Sequence, residues 1–420
     1  MAAQAPGGIT QVQHFCCFHR PLPAQLSSES PENNGLQDML ARALGERRQG
    51  LLAAKAFGAG AHGVMAGCGA GLVRHDARRL NVGIFIPTEG AAGIWGPSCR
   101  SCATLAAHEI NEAGGILGLE VALQIEDAGA DPDETAERAA FLVETGEIDA
   151  VVGMHISAVR ESLVRTIGGV VPYIYTPLYE GGERSPGVYA IGETPGDQLF
   201  PAMTWLAERY RVRRWVLLGN DYIWPWQTHA LARDFLAAHH GEVAGERYLP
   251  FEQQDFEGVL DWIEGLKPDA VLVSLVGQDA VDFNRAFGRR GLSERILRFS
   301  CAVEENVLLG IGSQNTDGLF AAAGYFANMG TRRNGGFKER YYGRLGEGAP
   351  MLNALGESLY EGMHFLSALL AQSDDWRRLD RTIAYGGVRE ALFGPDRRIK
   401  APIFLAEAKG NRFDIVTELG

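Results

Sequence analysis

Features that mark several common classes of protein are scarce in this sequence. Its 420 residues contain only six cysteines, too few for the disulfide framework of a small secreted domain. Basic residues are outnumbered, with 39 Lys and Arg against 52 Asp and Glu and a net charge of −13. Such a surface repels nucleic-acid phosphates and anionic lipid headgroups. We therefore expect no nucleic-acid partner.

Motifs of catalysis and of metal binding are missing as well. The sequence has no GxSxG elbow, no GxxxxGK[ST] phosphate loop and no GxGxxG after a strand. Cys99 and Cys102 form a CxxC, but Cys102 falls on the predicted buried face of a helix, which favours packing over redox or zinc chemistry. We predict no enzymatic activity, no cofactor and no metal site. The weakest alternative is a hydrolase that uses Ser157 and His155.

The N-terminal part of the chain differs in composition from the rest. Residues 1–38 are rich in Pro, Ser, Gln, Gly and Asn, and we predict that they are disordered or mis-assigned. Residues 39–68 run from Arg47-Arg48 through an Ala/Gly-rich apolar stretch to Met-Ala-Gly-Cys68, the layout of an export signal. This segment is similar to a twin-arginine signal with a lipoprotein cleavage box, so Cys68 is the predicted lipidation site. An Ala/Gly linker is the alternative.

No other run of about 18 or more apolar residues occurs. A lipid on Cys68 is therefore the only membrane attachment that the sequence predicts.

Strand-like and helical segments alternate through the body of the chain. Residues 81–87 (NVGIFIP) form a short apolar run, typical of a strand buried in a parallel sheet. Apolar spacing from Cys102 to Ile110 predicts an amphipathic helix, and Asp131 before Pro132 predicts the start of another. Further strands are expected at 121–125, 150–153, 215–218, 270–276 and 319–326, and further helices at 227–239, 279–290 and 355–372.

Repeated βαβ units of this kind connect into doubly wound parallel sheets. The length suffices for two such domains. We expect one lobe from residues 80–198 with about 325–380, and a second from 199–324 with about 381–420.

Aromatic, hydroxyl and carboxylate side chains follow several of the predicted strands. Ligands of open parallel sheets bind beyond the carboxyl ends of the strands, and this mixture suits a small, polar, weakly charged molecule. Each residue has an ordinary alternative: the aromatics pack a core, Ser157 caps the next helix, and Glu304 is solvated. The candidate ligand-binding residues are Trp95, His155, Ser157, Tyr175, Thr176, Tyr222, Trp224, Gly277 and Glu304.

Five of these segments together resemble the type I periplasmic-binding-protein family, in particular its amide- and urea-binding branch. The segments are EINEAGGILG (109–118), YTPLYEGGERSP (175–186), GNDYIWP (219–225), SLVGQDAVDFNRAF (274–287) and AAAGYF (321–326). The resemblance covers residues 80–420. It implies an α/β type I periplasmic-binding-protein fold, with two lobes joined by three hinge strands and ligand held between them.

The resemblance also implies roles for individual residues. Family ligand contacts fall on Ser157, Tyr175, Tyr222 and Trp224, whereas Trp95 and Glu304 match positions that amino-acid-binding relatives use. His155, Pro177 and Trp224 depart from the amide-binding pattern.

The implied function is the periplasmic, possibly lipid-anchored, substrate-binding component of an ABC importer. Such a protein binds a small amide, urea or amino acid and delivers it to the importer's permease. The alternative is a cytosolic amide-type sensor that sequesters a regulatory protein partner.

Overall fold

The computed structural model describes residues 79–372 and 375–419. The predictions for residues 1–38 and 39–68, including lipidation of Cys68, lie outside these ranges. No helix within them is both long enough and apolar enough to cross a membrane.

The first sheet, in the described part of the chain, has five parallel strands in the order β2-β1-β3-β4-β5. Side chains of β1 alternate between two cores: Val82 and Ile84 belong to one and Phe85 to the other. Both faces of the sheet are therefore covered, as the apolar run predicts. The elements of this lobe are β1 (Arg79–Ile86), a 3-10 turn (Ala91–Trp95), α1 (Gly96–Glu112), β2 (Glu120–Asp127), α2 (Pro132–Glu144), β3 (Ala150–Gly153), α3 (Ser157–Ile167), β4 (Tyr173–Tyr175) and β5 (Val188–Ala190).

The chain then forms the greater part of a second α/β lobe. The Asp131 cap of α2 has a counterpart here, because the Glu304 side chain accepts from the first backbone N–H groups of the helix that follows it. The elements are α4 (Leu199–Tyr210), β6 (Arg214–Asn220), α5 (Ile223–Ala238), β7 (Glu242–Leu249), α6 (Glu257–Leu266), β8 (Ala270–Ser274), α7 (Gly277–Arg289), a 3-10 turn (Leu292–Glu294), β9 (Leu297–Ser300), α8 (Glu305–Ile311), a 3-10 turn (Ser313–Asn315) and β10 (Leu319–Ala323).

The last part of the chain returns to both lobes. Its elements are α9 (Arg332–Leu345), α10 (Ala354–Gln372), β11 (Ile383–Ala384), β12 (Leu392–Phe393), β13 (Ile399–Lys400), β14 (Ile403–Lys409) and β15 (Arg412–Leu419). Helix α10 packs along α1, and β14 pairs with β10. The lobe boundaries expected from the sequence stay a prediction.

The second sheet, counted over the described residues, has seven strands in the order β15-β14-β10-β9-β8-β6-β7. Its five strands from β6 to β10 pair in parallel, but β14 is antiparallel to both β10 and β15. At this edge an antiparallel pair of strands extends the predicted parallel sheet. The short link from β14 to β15 permits only a hairpin, because a parallel pair needs a long crossover.

Candidate functional site

A cavity of about 40 Å³ lies between the two lobes, at the carboxyl ends of their strands. This volume exceeds the roughly 10–15 Å³ that one water molecule requires. Lobe 1 contributes Trp95, Ser157 and Tyr175 to its wall, and lobe 2 contributes Tyr222 and Trp224. His155 also lines it, so six of the nine predicted residues meet here. No Lys, Arg, Asp or Glu is among the described residues of the wall.

His155 lies in the turn between β3 and α3, with both ring nitrogens engaged. Its Nδ1 lies 3.2 Å from the Ile156 carbonyl oxygen and its Nε2 3.0 Å from the Tyr173 hydroxyl. Burial lowers the pKa of His155 to about 3, so the ring is neutral at physiological pH. Because neither nitrogen contacts Ser157, the geometry gives no support to a Ser157–His155 hydrolase pair.

Ser157 opens α3 but does not cap it. The cap position is Ile156, and no side chain caps the helix, so the structure does not support the alternative in which Ser157 is the cap. Instead its Oγ donates to Glu180 at 2.7 Å, which draws the hydroxyl away from the helix N-terminus. The Tyr175 hydroxyl, 3.5 Å away, donates to the His155 carbonyl oxygen at 3.0 Å.

Behind these hydroxyls lies a buried ion cluster that sequence reasoning missed. Arg160 donates to Glu180 and to Glu183, each at 2.5 Å. Its guanidinium also lies 5.7 Å from the Tyr175 ring centroid and 5.6 Å from that of Tyr179. The sequence does contain one indication of this cluster. Arg160 follows Ser157 by one helical turn and so lies on the same face of the helix, whereas the other charged residues of the helix lie on its exposed faces.

The wall from lobe 2 is aromatic. Tyr222 precedes α5 and Trp224 lies in its first turn, with their ring centroids 6.3 Å apart. Phe251, whose ring centroid lies 5.2 Å from that of Tyr222, supports this wall. Both wall residues are almost fully buried, although neither belongs to a strand. They close one side of the cavity against water.

Trp95 and Glu304 join the two lobes directly. The Trp95 Nε1 donates to a Glu304 carboxyl oxygen at 2.6 Å, and Glu304 also accepts from the backbone N–H groups of Asn306 and Val307. A second bond crosses the cleft, from Asn306 Nδ2 to the Ile94 carbonyl oxygen at 3.1 Å. The lobes are therefore in contact, which is a closed form.

Glu304 is only 4% exposed, so the structure excludes the alternative in which it is a solvated residue. Burial raises the pKa of Glu304 to about 7, although its hydrogen bonds act in the opposite direction. The neighbouring Glu305 is also buried and accepts from the Ala327 N–H at 2.6 Å. Burial, together with the nearby charge of Glu304, raises its pKa to about 8.

Besides Glu304, two predicted residues do not line the cavity. Thr176 is fully buried and accepts from the Ser358 hydroxyl of α10 at 3.2 Å. Gly277 has a φ of +50°, and a Cβ there would lie 1.9 Å from the Ala91 carbonyl oxygen, so this glycine lets the lobes approach. A ligand-binding role for each of the nine residues stays a prediction.

The CxxC cysteines lie in the core of lobe 1. Cys99 and Cys102 are fully buried and unpaired, and burial raises the pKa of both thiols. Both pack in the larger apolar core, which matches the predicted packing role. Within residues 79–372 and 375–419, no group of three or more His, Cys, Asp or Glu residues is placed to hold a metal ion.

Solved structures of similar fold are bacterial binding proteins. An ABC transporter substrate-binding protein from Sphaerobacter thermophilus is 22% identical, with a TM-score of 0.69 over 81% of this chain and 97% of that one. A solute-binding protein from Rhodopseudomonas palustris in complex with 3,4-dihydroxybenzoic acid is 19% identical, with a TM-score of 0.70 over 81% and 97%. A branched-chain amino acid transporter substrate-binding protein from Streptococcus pneumoniae in complex with isoleucine is 16% identical, with a TM-score of 0.66 over 80% and 99%.

A family model described as "periplasmic binding protein" matches residues 79–411. The solved structures confirm the predicted type I fold. The family match confirms the prediction that the chain is not an enzyme. The chain belongs to the periplasmic binding protein family.

Proposed function

We propose that this chain is the periplasmic substrate-binding component of an ABC importer, and that it closes its lobes around a small amide or urea. The observation that carries the proposal is the cavity between the lobes, whose wall combines hydroxyls from lobe 1 with aromatic rings from lobe 2. A ligand that touches both walls binds the closed form more tightly than the open form, and so shifts the equilibrium towards closure. The importer's permease would then receive the closed complex.

A neutral ligand suits the charges around the cavity better than an amino acid does. Burying a charged ligand requires a partner of opposite charge, and the described wall has none. Glu304 is the nearest candidate partner for an ammonium group, but its carboxyl oxygens are already bonded to Trp95 and to two backbone N–H groups. An amino acid would have to displace one of these bonds.

A benzoate is the second candidate, since one solved neighbour carries 3,4-dihydroxybenzoic acid. The aromatic rings of Trp95, Tyr175, Tyr222 and Trp224 would suit its ring. Its carboxylate, however, would face a wall without Lys or Arg among the described residues.

Isothermal titration with acetamide, urea, isoleucine and 3,4-dihydroxybenzoate tests the ligand class. We expect acetamide or urea to bind with a Kd below about 1 mM, that is, with a free energy beyond about −4 kcal/mol. Glu304→Gln, whose amide oxygen can still accept from Trp95, should weaken this binding by no more than about tenfold, whereas Tyr222→Ala should abolish it. If neither amide nor urea binds below this limit, the proposed ligand class is wrong.

The compartment in which the protein is found tests the proposed transport role. A cytosolic sensor that sequesters a regulatory protein would keep residues 39–68 and stay in the cytoplasm. Cell fractionation, followed by mass spectrometry of the purified chain, should instead find a periplasmic protein that starts near Cys68. A full-length cytosolic chain would overturn the importer proposal and favour the sensor.

A further inference from the structure

We propose that Glu180, held by Arg160, is a positioning residue for the lobe 1 wall of the cavity. It orients the hydroxyl groups of this wall so that they accept hydrogen bonds, and the wall therefore selects a ligand with an N–H donor group. The inference rests on the proposed function in one respect, namely that ligand binds in the cavity between the lobes. The ligand group that faces this wall is then a hydrogen-bond donor, namely the nitrogen of a primary amide, urea or amine.

The Ser157 hydroxyl has a single proton to donate. It lies 2.7 Å from a Glu180 carboxyl oxygen, at ordinary hydrogen-bond length. The carboxyl oxygen is the acceptor of this bond, so the hydroxyl proton lies on the line to Glu180. The Ser157 oxygen therefore turns its lone pairs, and no proton, towards the cavity.

The Tyr175 hydroxyl has the same polarity for a different reason. It donates to the His155 carbonyl oxygen at 3.0 Å, and a carbonyl oxygen can only accept a hydrogen bond. The two hydroxyl oxygens lie 3.5 Å apart, and both residues line the cavity. One NH₂ group can donate to both oxygens, whereas the oxygen of a carboxylate would meet only lone pairs.

Arg160 keeps Glu180 in the accepting form. The guanidinium donates to Glu180 at 2.5 Å and to Glu183 at the same distance, and all three side chains are buried. A guanidinium has donors only, so both carboxyl groups accept the hydrogen bonds that Arg160 makes. The rings of Tyr175 and Tyr179, each within 6 Å of the guanidinium, hold it in place from the side.

The neighbouring imidazole supplies no competing donor to this wall. The Nδ1 of His155 lies against the Ile156 carbonyl oxygen, which can only accept, so this nitrogen carries the proton. The Nε2 then accepts from the Tyr173 hydroxyl at 3.0 Å. Since burial keeps the ring neutral, the wall around Ser157 and Tyr175 presents acceptors.

The sharpest variant is Glu180→Gln, which keeps the shape of the side chain. Arg160 must still find an oxygen, so the amide oxygen of Gln faces the guanidinium and its NH₂ group faces Ser157. That NH₂ donates to the Ser157 oxygen and turns the hydroxyl proton into the cavity. Glu183→Gln is the matched control, because it removes the same charge from the same arginine without touching Ser157.

Acetamide and acetate form the matched ligand pair, since they differ mainly in NH₂ against O⁻. In wild type and in the Glu183→Gln variant we expect a clear preference for acetamide by titration calorimetry. In Glu180→Gln we expect acetamide to bind about 5- to 150-fold more weakly, the cost of leaving a buried N–H donor without an acceptor. We also expect its preference over acetate to shrink or reverse. An unchanged preference in Glu180→Gln, or equal losses in both variants, would overturn the inference.

Neutron diffraction from the deuterated wild-type protein is independent of any ligand and of how the variants fold. We expect the Ser157 deuteron between its oxygen and Glu180. A deuteron directed into the cavity overturns the inference, whatever the titrations show. If wild type binds neither acetamide nor urea, the proposed ligand class fails, while the deuteron position still decides the polarity of the wall.

Discussion

The bond between Trp95 and Glu304 gives a direct test of lobe closure. Each partner belongs to a different lobe, and the bond of 2.6 Å exists only when the lobes meet. Trp95→Phe keeps an aromatic ring at the cavity wall but removes the N–H. A hydrogen bond to a charged group contributes about 1.5–3 kcal/mol. The open form does not contain this bond, so the substitution destabilises only the closed, ligand-binding form. The apparent Kd should therefore rise by about 10- to 150-fold, at about 1.4 kcal/mol per factor of ten.

The increase in Kd caused by Trp95→Phe should be larger at higher pH. Burial raises the pKa of Glu304 to about 7, so its carboxyl group is largely protonated at pH 6 and largely ionised at pH 8. A bond to the neutral carboxyl is weaker, roughly 0.5–1.5 kcal/mol. Calorimetry should therefore show a larger Kd ratio of Trp95→Phe to wild type at pH 8 than at pH 6.

Trp226→Phe is the matched control. Its Nε1 also donates to a carboxylate, that of Asp221 at 3.0 Å, but both residues belong to lobe 2 and the bond is exposed. Removing it should leave the Kd within about twofold, since exposed polar contacts contribute little. If Trp95→Phe changes the Kd no more than Trp226→Phe does, the cross-lobe bond does not stabilise the closed form.

Two further predictions concern closure and stability. Gly277→Ala places a Cβ against the Ala91 carbonyl oxygen. We expect small-angle scattering to show lobes that are further apart, and the Kd to rise about 5- to 150-fold for an overpacking cost of about 1–3 kcal/mol. Gly291→Ala, with a φ of +72° but open space around it, separates backbone strain from this clash. Burial raises the pKa of Glu305 to about 8, so between about pH 4.5 and 8 the folded chain keeps a proton that the unfolded chain loses, and stability falls as pH rises. Unfolding by guanidinium chloride should show Glu305→Gln gaining stability over wild type, by a few kcal/mol, between pH 5 and pH 8.

The last two predictions have clear contrary outcomes. If Gly277→Ala and Gly291→Ala raise the Kd equally, backbone strain, and not contact with the other lobe, is responsible for the increase. A stability difference between Glu305→Gln and wild type that stays constant from pH 5 to pH 8 would show that this carboxyl group is ionised throughout.

Local pattern predicted the regular elements well where the pattern was strong. The strand at 150–153 has the bounds expected, since the apolar run there begins after Asp149 and ends at Gly153. Helix α5 begins at Ile223, four residues before the expected 227, because Pro225 fits the first turn of a helix, where its missing N–H is not needed. Strand β7 (Glu242–Leu249) was missed, since this edge strand is half-buried and carries charged side chains instead of an apolar run.

The sequence by itself determined the α/β class of this protein and placed candidate residues at the ends of strands, because apolar periodicity and strand order are local properties of the chain. Only the tertiary structure decided which candidates meet. It brought Trp95 to Glu304, 209 positions away, and directed Thr176 into α10. It also set the polarity of Ser157 through Glu180. The direction in which a hydroxyl donates depends on which acceptor lies nearest in space, and residue spacing does not encode that.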